Sequence, residues 1–166
     1  MWQRRRIDSA LKTRVFLVED NQDLLRVESH LLRRHRGCLV VAASPNGDAA
    51  LAHMPDPKPQ VIVLDLDRPA ADGLGMILFL REALPGVGII GLTVSKGSAY
   101  WQAARAAGAD DVVCKSEMVR DLPLAIQQVA RLRGFRRRRP LLTQHRLHRR
   151  NGHSFRLQVS GRSREG

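Results

Sequence analysis

The chain has 166 residues, room for one ordinary domain with its own core plus an appendage. No apolar run approaches the ~20 residues that span a membrane. No signal-peptide core follows the basic Arg4-Arg5-Arg6, so a cytoplasmic protein that stays out of the membrane is expected. The formal net charge of +12 comes from 28 Lys and Arg against 16 Asp and Glu, and Cys38 and Cys114, without metal-ligand spacing, read as buried reduced thiols.

In chain order, Val15-Phe16-Leu17-Val18 is an unbroken apolar run that meets Glu19-Asp20. Such runs are strands buried on both faces, as in parallel sheets. A helix follows, with Leu24, Leu25, Val27, Leu31 and Leu32 as its apolar face and Asn21 or Asp20 placed to cap it. Gly37 closes it, and Leu39–Ala43 reads as a second strand. A short helix over 48–54 ends in Pro55, Pro57 and Pro59. Val61-Ile62-Val63-Leu64 is the third strand and runs into Asp65. A loop with Asp72-Gly73 leads to a helix near 74–84, stopped by Pro85-Gly86. Val87–Leu92 is the fourth strand, meeting Thr93, and a helix over 99–107 closes at Gly108. The fifth strand, Asp111–Cys114, meets Lys115, and the last helix carries Met118, Leu122, Ala125, Ile126 and Val129 on one face. Five alternations predict an α/β fold: a parallel sheet with helices on both sides and right-handed crossovers.

Beyond about Gly134 the pattern changes to a charge run, Phe135-Arg136-Arg137-Arg138-Arg139-Pro140, followed by few apolar residues without helical period. Such a segment buries too little surface to offset ordering entropy, and disorder is expected over the basic tail. The charge follows this division. Residues 132–166 hold eleven arginines and one acid, +10; residues 1–14 sum to +4, and 15–131 to −2. The expected organisation is a basic N-terminal extension (1–13), a folded domain (14–131) and an Arg-rich tail (132–166) without a complete output domain. Eleven arginines suit phosphate backbones without sequence preference, though a solvated end with no partner explains them equally well.

The strand ends carry the chemistry. In open α/β sheets the functional edge lies at the strand C-termini. Glu19, Asp20, Asp65, Thr93 and Lys115 all fall just past such ends. A carboxylate there can attack phosphorus as a nucleophile, while a nearby cation screens the equatorial oxygens. Glu19, Asp20 and Asp65 would cradle Mg²⁺, which takes oxygen ligands. Lys115 would neutralise a phosphoryl oxygen, and Thr93 would donate to another. Taken singly, Asp20 serves equally as a helix cap, Thr93 as a strand-end hydroxyl and Lys115 as a surface lysine; joint placement carries the reading.

With these segments in hand, Val15–Asn21, Leu64-Asp65-Leu66-Asp67-Arg68-Pro69 with Asp72-Gly73, Leu92-Thr93 and Gly108–Lys115, residues 14–131 resemble the receiver domain of two-component response regulators. The resemblance implies a flavodoxin-like doubly wound sheet of order 2-1-3-4-5, the order for which a receiver protein is the standing example. It implies that Asp65 is the phosphoacceptor, charged by a sensor histidine kinase or a phosphotransfer protein. Glu19, Asp20 and Asp65 would hold Mg²⁺ with the backbone carbonyl of Asp67, and Thr93 and Lys115 would sense the phosphoryl group. One departure is Val112, three positions before the lysine, where the family usually has an aromatic switch residue.

Two other readings remain at this stage. Asp65-Leu66-Asp67 also resembles the first motif of haloacid-dehalogenase-type phosphatases, with Asp110-Asp111 for a later one, but that leaves Glu19-Asp20 unexplained. A receiver fold that no longer cycles, serving as an interaction module, is the other. For a receiver, output would run through protein contacts or a shortened DNA-binding regulator, and no enzyme activity beyond its own phosphoryl transfer and hydrolysis is expected.

Overall fold

The computed structural model describes residues 12–67 and 72–138. Five strands alternate with five helices: β1 (Thr13–Val18), α1 (Gln22–Arg34), β2 (Cys38–Ser44), α2 (Gly47–Ala52), β3 (Val61–Asp65), α3 (Gly73–Ala83), β4 (Gly88–Thr93), α4 (Ser98–Ala106), β5 (Asp111–Cys114) and α5 (Met118–Arg138). All pairings are parallel and the order is β2-β1-β3-β4-β5, the flavodoxin-like doubly wound sheet.

The strands are apolar on both faces because helices cover both faces. Val15 and Leu17 of β1 and Val61 and Val63 of β3 enter one core, closed by Leu32 of α1 and Met118, Leu122, Ile126 and Val129 of α5. Their alternating neighbours Phe16, Val18, Ile62 and Leu64 enter the other, closed by Ala50, Ile77, Leu80 and Ala104 of α2, α3 and α4. Each such side chain contributes about 1.5–3 kcal/mol on full burial. β3 is buried along its whole length, which fixes Asp65 at the lip of the central strand. Cys38 and Cys114 are both free and buried.

Two local expectations are corrected. On α1, Leu24, Leu25, Leu31 and Leu32 pack inward, but Val27 is 49% exposed and Glu28, 1% exposed, takes the inner position. Residues 24, 28 and 32 share a face at i, i+4 spacing, and 27 falls off it. At the other end, α5 continues to Arg138, past position 132 where a tail was expected to begin. Arg133 forms an ion pair with Asp110 and donates to the Pro85 carbonyl at 3.1 Å, so this stretch belongs to the folded body. The remaining tail (139–166), the N-terminal extension through residue 11, and Arg68-Pro69 lie outside the described residues.

Candidate functional site

Because the strands are parallel, β1, β3, β4 and β5 deliver Glu19-Asp20, Asp65, Thr93 and Lys115 to one sheet edge. Asn21, not Asp20, caps α1: its Oδ1 accepts the N–H groups of Asp23 and Leu24 at 3.0 and 3.1 Å. Asp20 stands with Glu19 and Asp65 in the acidic cluster. Asp72 caps α3 in the same way, accepting from Leu74 N–H at 3.0 Å. Gly73 is required behind it, since a Cβ there would stand 2.7 Å from the Leu66 carbonyl oxygen.

Asp65 is 6% exposed. Its Oδ1 takes the Lys115 ammonium at 2.5 Å and the Asp67 N–H at 3.0 Å. The Asp67 carboxylate is engaged as well: it accepts the Thr93 hydroxyl at 2.7 Å and the Val94 N–H at 2.7 Å, with Lys115 at 3.3 Å. Sequence reasoning had given Asp67 only a backbone role; the missed signal was a second acid two residues past a strand end, opposite a strand-end threonine. Glu19 Oε1 accepts the Asn21 N–H at 2.8 Å, while its buried Oε2 has no hydrogen-bond partner among the described residues.

Glu19, Asp20 and Asp65 each offer a carboxylate oxygen within 4.8 Å of the others. A buried oxygen without a donor, in an all-oxygen acidic set, fits a hard divalent cation such as Mg²⁺. Burial raises the Glu19 carboxyl above its ordinary pKa, against the Asn21 N–H, and the charge of Asp65 raises it further. For Lys115, burial disfavours the ammonium, but the hydrogen bond and charge of Asp65, helped by Asp67, outweigh it and hold its pKa above the usual lysine value.

Below this set lies Glu28, which the sequence reading did not single out. Its Oε1 is buried without a partner, and burial, with the charges of Glu19 and Asp65, pushes its carboxyl up to about 8. The signal that could have found it is a glutamate centred on an otherwise leucine-lined helix face. Val112 is buried in the core beside Ala104, Ala107 and Ala109. An aromatic beside the site comes instead from α4: the Tyr100 hydroxyl donates to the Leu66 carbonyl at 3.3 Å.

This arrangement equips Asp65 to attack phosphorus beside a cation cradle, with an ammonium in place for the developing charge. It does not suit the phosphatase alternative. Asp110 and Asp111 lie at the other edge of the sheet, where β5 begins, and Asp110 is taken up by Arg81, Arg133 and the Ile89 N–H.

Residues 15–127 match the family described as the response regulator receiver domain. Among curated proteins, the chain is 33% identical over 118 residues to a probable transcriptional regulatory protein TcrX of Mycobacterium tuberculosis, covering 71% of this chain and 50% of that protein. It is 28% identical over 142 residues to a protein-glutamate methylesterase/protein-glutamine glutaminase of Trichodesmium erythraeum, covering 81% of this chain and 40% of that one. The chain thus spans half or less of these relatives' length. Among solved structures, a two-component response regulator of the LuxR family from Aurantimonas sp. superposes with a TM-score of 0.66 at 28% identity, covering 72% of this chain and 86% of that one. The response regulator domain of Thermotoga maritima CheB, at 21% identity and TM-score 0.64, covers 72% of this chain and 97% of that one and shares the fold.

Proposed function

The chain belongs to the response regulator receiver domain family, and from that premise we propose that Asp65 accepts a phosphoryl group from the phosphohistidine of a sensor histidine kinase or a phosphotransfer protein. An Asp65 carboxylate oxygen attacks phosphorus, the P–N bond breaks, and the histidine nitrogen keeps the electron pair and is protonated. Hydrolysis of the acyl phosphate returns Asp65. The observation that carries this reading is the convergence of Lys115 and the Glu19-Asp20-Asp65 cradle on one buried carboxylate.

In this reading Glu19, Asp20 and Asp65, with the Asp67 carbonyl, hold Mg²⁺, which screens the phosphoryl oxygens when bound. Lys115 takes one phosphoryl oxygen and Thr93 another, each leaving its present place on Asp67. With valine at 112, the change passes on through backbone shifts after β4 rather than a swinging β5 side chain. The receiver unit, placed over 14–131 by the sequence and with its last helix running on to Arg138, acts in the cytoplasm beside a basic N-terminal extension and an Arg-rich tail. The chain performs only its own phosphoryl transfer and hydrolysis, and its output runs through contacts with other macromolecules.

The test is intact-protein mass after acetyl phosphate treatment, with and without Mg²⁺, on wild type and Asp65→Asn. One phosphoryl adduct that requires both Mg²⁺ and Asp65 is expected. An adduct that persists in Asp65→Asn places the acceptor elsewhere.

A further inference from the structure

Residues 15–131 sum to only −2, but the fold separates their charges. Acids gather at the edge around Asp65. The opposite edge, where the strands begin, gathers Arg33 and Arg34 in the last turn of α1, Arg36 just after it, Lys58 before β3 and Arg131 in α5. These five are exposed, and none is in an ion pair among the described residues. The acids Asp110 and Asp111 at this edge are already engaged by Arg81, Arg133 and Arg105, which leaves Asp56 and Glu82 to oppose the excess.

The elements that carry these basic residues meet at this edge. The Thr13 N–H donates to the Gly37 carbonyl at 2.8 Å, and Gln127 Nε2 of α5 lies 3.5 Å from His35 Nδ1. Thr13, Gly37, Gln60, Gln127 and Arg131 line one open cleft of about 320 Å³. The Arg14 guanidinium donates to the Lys58 carbonyl at 2.8 Å, which ties that loop to the same edge. β1 starts at this edge with Thr13, and α5 reaches it on the way to Arg138.

We propose that this edge is a binding face for the sugar–phosphate backbone of nucleic acid. The face is mostly arginine, whose planar guanidinium pairs with phosphate oxygens two at a time. Each neutralised phosphate releases condensed counterions, so affinity arises without sequence readout. The acidic edge repels phosphate and orients the domain, so the Asp65 lip points away from the polyanion. A lipid surface is the poorer fit: the exposed large apolar residues near this edge are Leu39 and Leu132, and neither is an aromatic anchor. The proposal does not depend on the phosphoacceptor chemistry.

The test titrates the full chain against a labelled short duplex of arbitrary sequence at several salt concentrations. Wild type is compared with Arg33→Ala/Arg34→Ala/Arg36→Ala and with Arg131→Ala. Wild type is expected to bind duplexes of unrelated sequence alike, with log K falling linearly in log salt. The triple variant should bind about tenfold more weakly at low salt, with a slope shallower by about 2 to 3. Arg131→Ala, at an exposed helical position, should lower the slope by about 1 and serves if the triple variant fails to fold. Both variants should retain the wild-type phosphoryl adduct. Unchanged affinity and slope in both variants, no duplex binding at low salt, or capture by phosphatidylglycerol vesicles in place of duplex would each overturn the proposal.

Discussion

The Thr93 hydroxyl donates to Asp67 at 2.7 Å, and the same carboxylate takes the Val94 N–H and a share of the Lys115 ammonium. In the proposed reading a phosphoryl group on Asp65 takes these same donors. Asp67 would then hold the anion's place in the resting site, and phosphorylation would displace it. Asp67→Ala keeps the backbone carbonyl while freeing Thr93 and Lys115 and removing one negative charge. The fraction phosphorylated at equilibrium with acetyl phosphate should rise about fivefold, the equivalent of ~1 kcal/mol for one exchanged hydrogen bond. Intact mass measures it; an unchanged or smaller fraction would show that Asp67 does not compete.

Lys115 is the cation shared by Asp65 and Asp67, with its side chain 15% exposed. Lys115→Ala removes the cation shared by these carboxylates and leaves them facing Glu19 with only the hydroxyl and N–H donors already on them. The resting protein should lose on the order of 2 kcal/mol, as when one partner of a mostly buried pair is removed. If the proposed cradle holds Mg²⁺ in the folded chain alone, adding it should recover part of the loss by mass action. Thermal melts with and without Mg²⁺ check this, and a loss indifferent to Mg²⁺ would mean the cation does not sit among these acids. Acceptance of phosphate should persist at a reduced level.

Asp110 lies at the far edge and joins three elements: Arg81 of α3, Arg133 of α5 and the Ile89 N–H of β4. Burial lowers the Arg81 pKa, and the charge of Asp110 opposes that shift. Asp110→Ala leaves two guanidinium groups, each about a fifth exposed, with backbone carbonyls but without their carboxylate. A loss of about 2 kcal/mol in denaturant unfolding is expected, with acetyl phosphate labelling of Asp65 intact. Loss of labelling in a folded variant would give Asp110 a part in the chemistry.

Much of this was legible in the sequence for physical reasons. Runs such as Val61–Leu64 are apolar on both faces only if both are covered, so they mark parallel strands, and strand ends mark the functional edge. Residues that act through tertiary contact were less legible. Asp67's carboxylate matters because β4 brings Thr93 and Val94 beside it, a relation between strands 26 and 27 residues apart. The extent of α5 was hidden because Arg133 reads as tail until Asp110 is seen beneath it. Charge separation was invisible for the same reason: the −2 of residues 15–131 says nothing about which end of the sheet each charge occupies.

Glu28 misled the reading most directly, since a glutamate among leucines was passed over for Val27, which the structure exposes. Its carboxyl is buried, one oxygen lacks a donor, and burial raises its pKa from 4.5 to about 8. The sign of the consequence is fixed. Below 4.5 both folded and unfolded chains carry the proton, and the group costs little. Between 4.5 and about 8 the unfolded chain ionises while the folded one keeps its proton, so stability falls as pH rises and levels off above the folded pKa. Glu28→Leu removes this penalty and suits the apolar surroundings of Leu24 and Leu32. In metal-free buffer the variant should gain about 2–4 kcal/mol over wild type near pH 8.5 and much less near pH 5. Denaturant unfolding at the two pH values decides it: an equal gain at both would assign the effect to packing alone and return Glu28 to an ordinary ionised carboxylate.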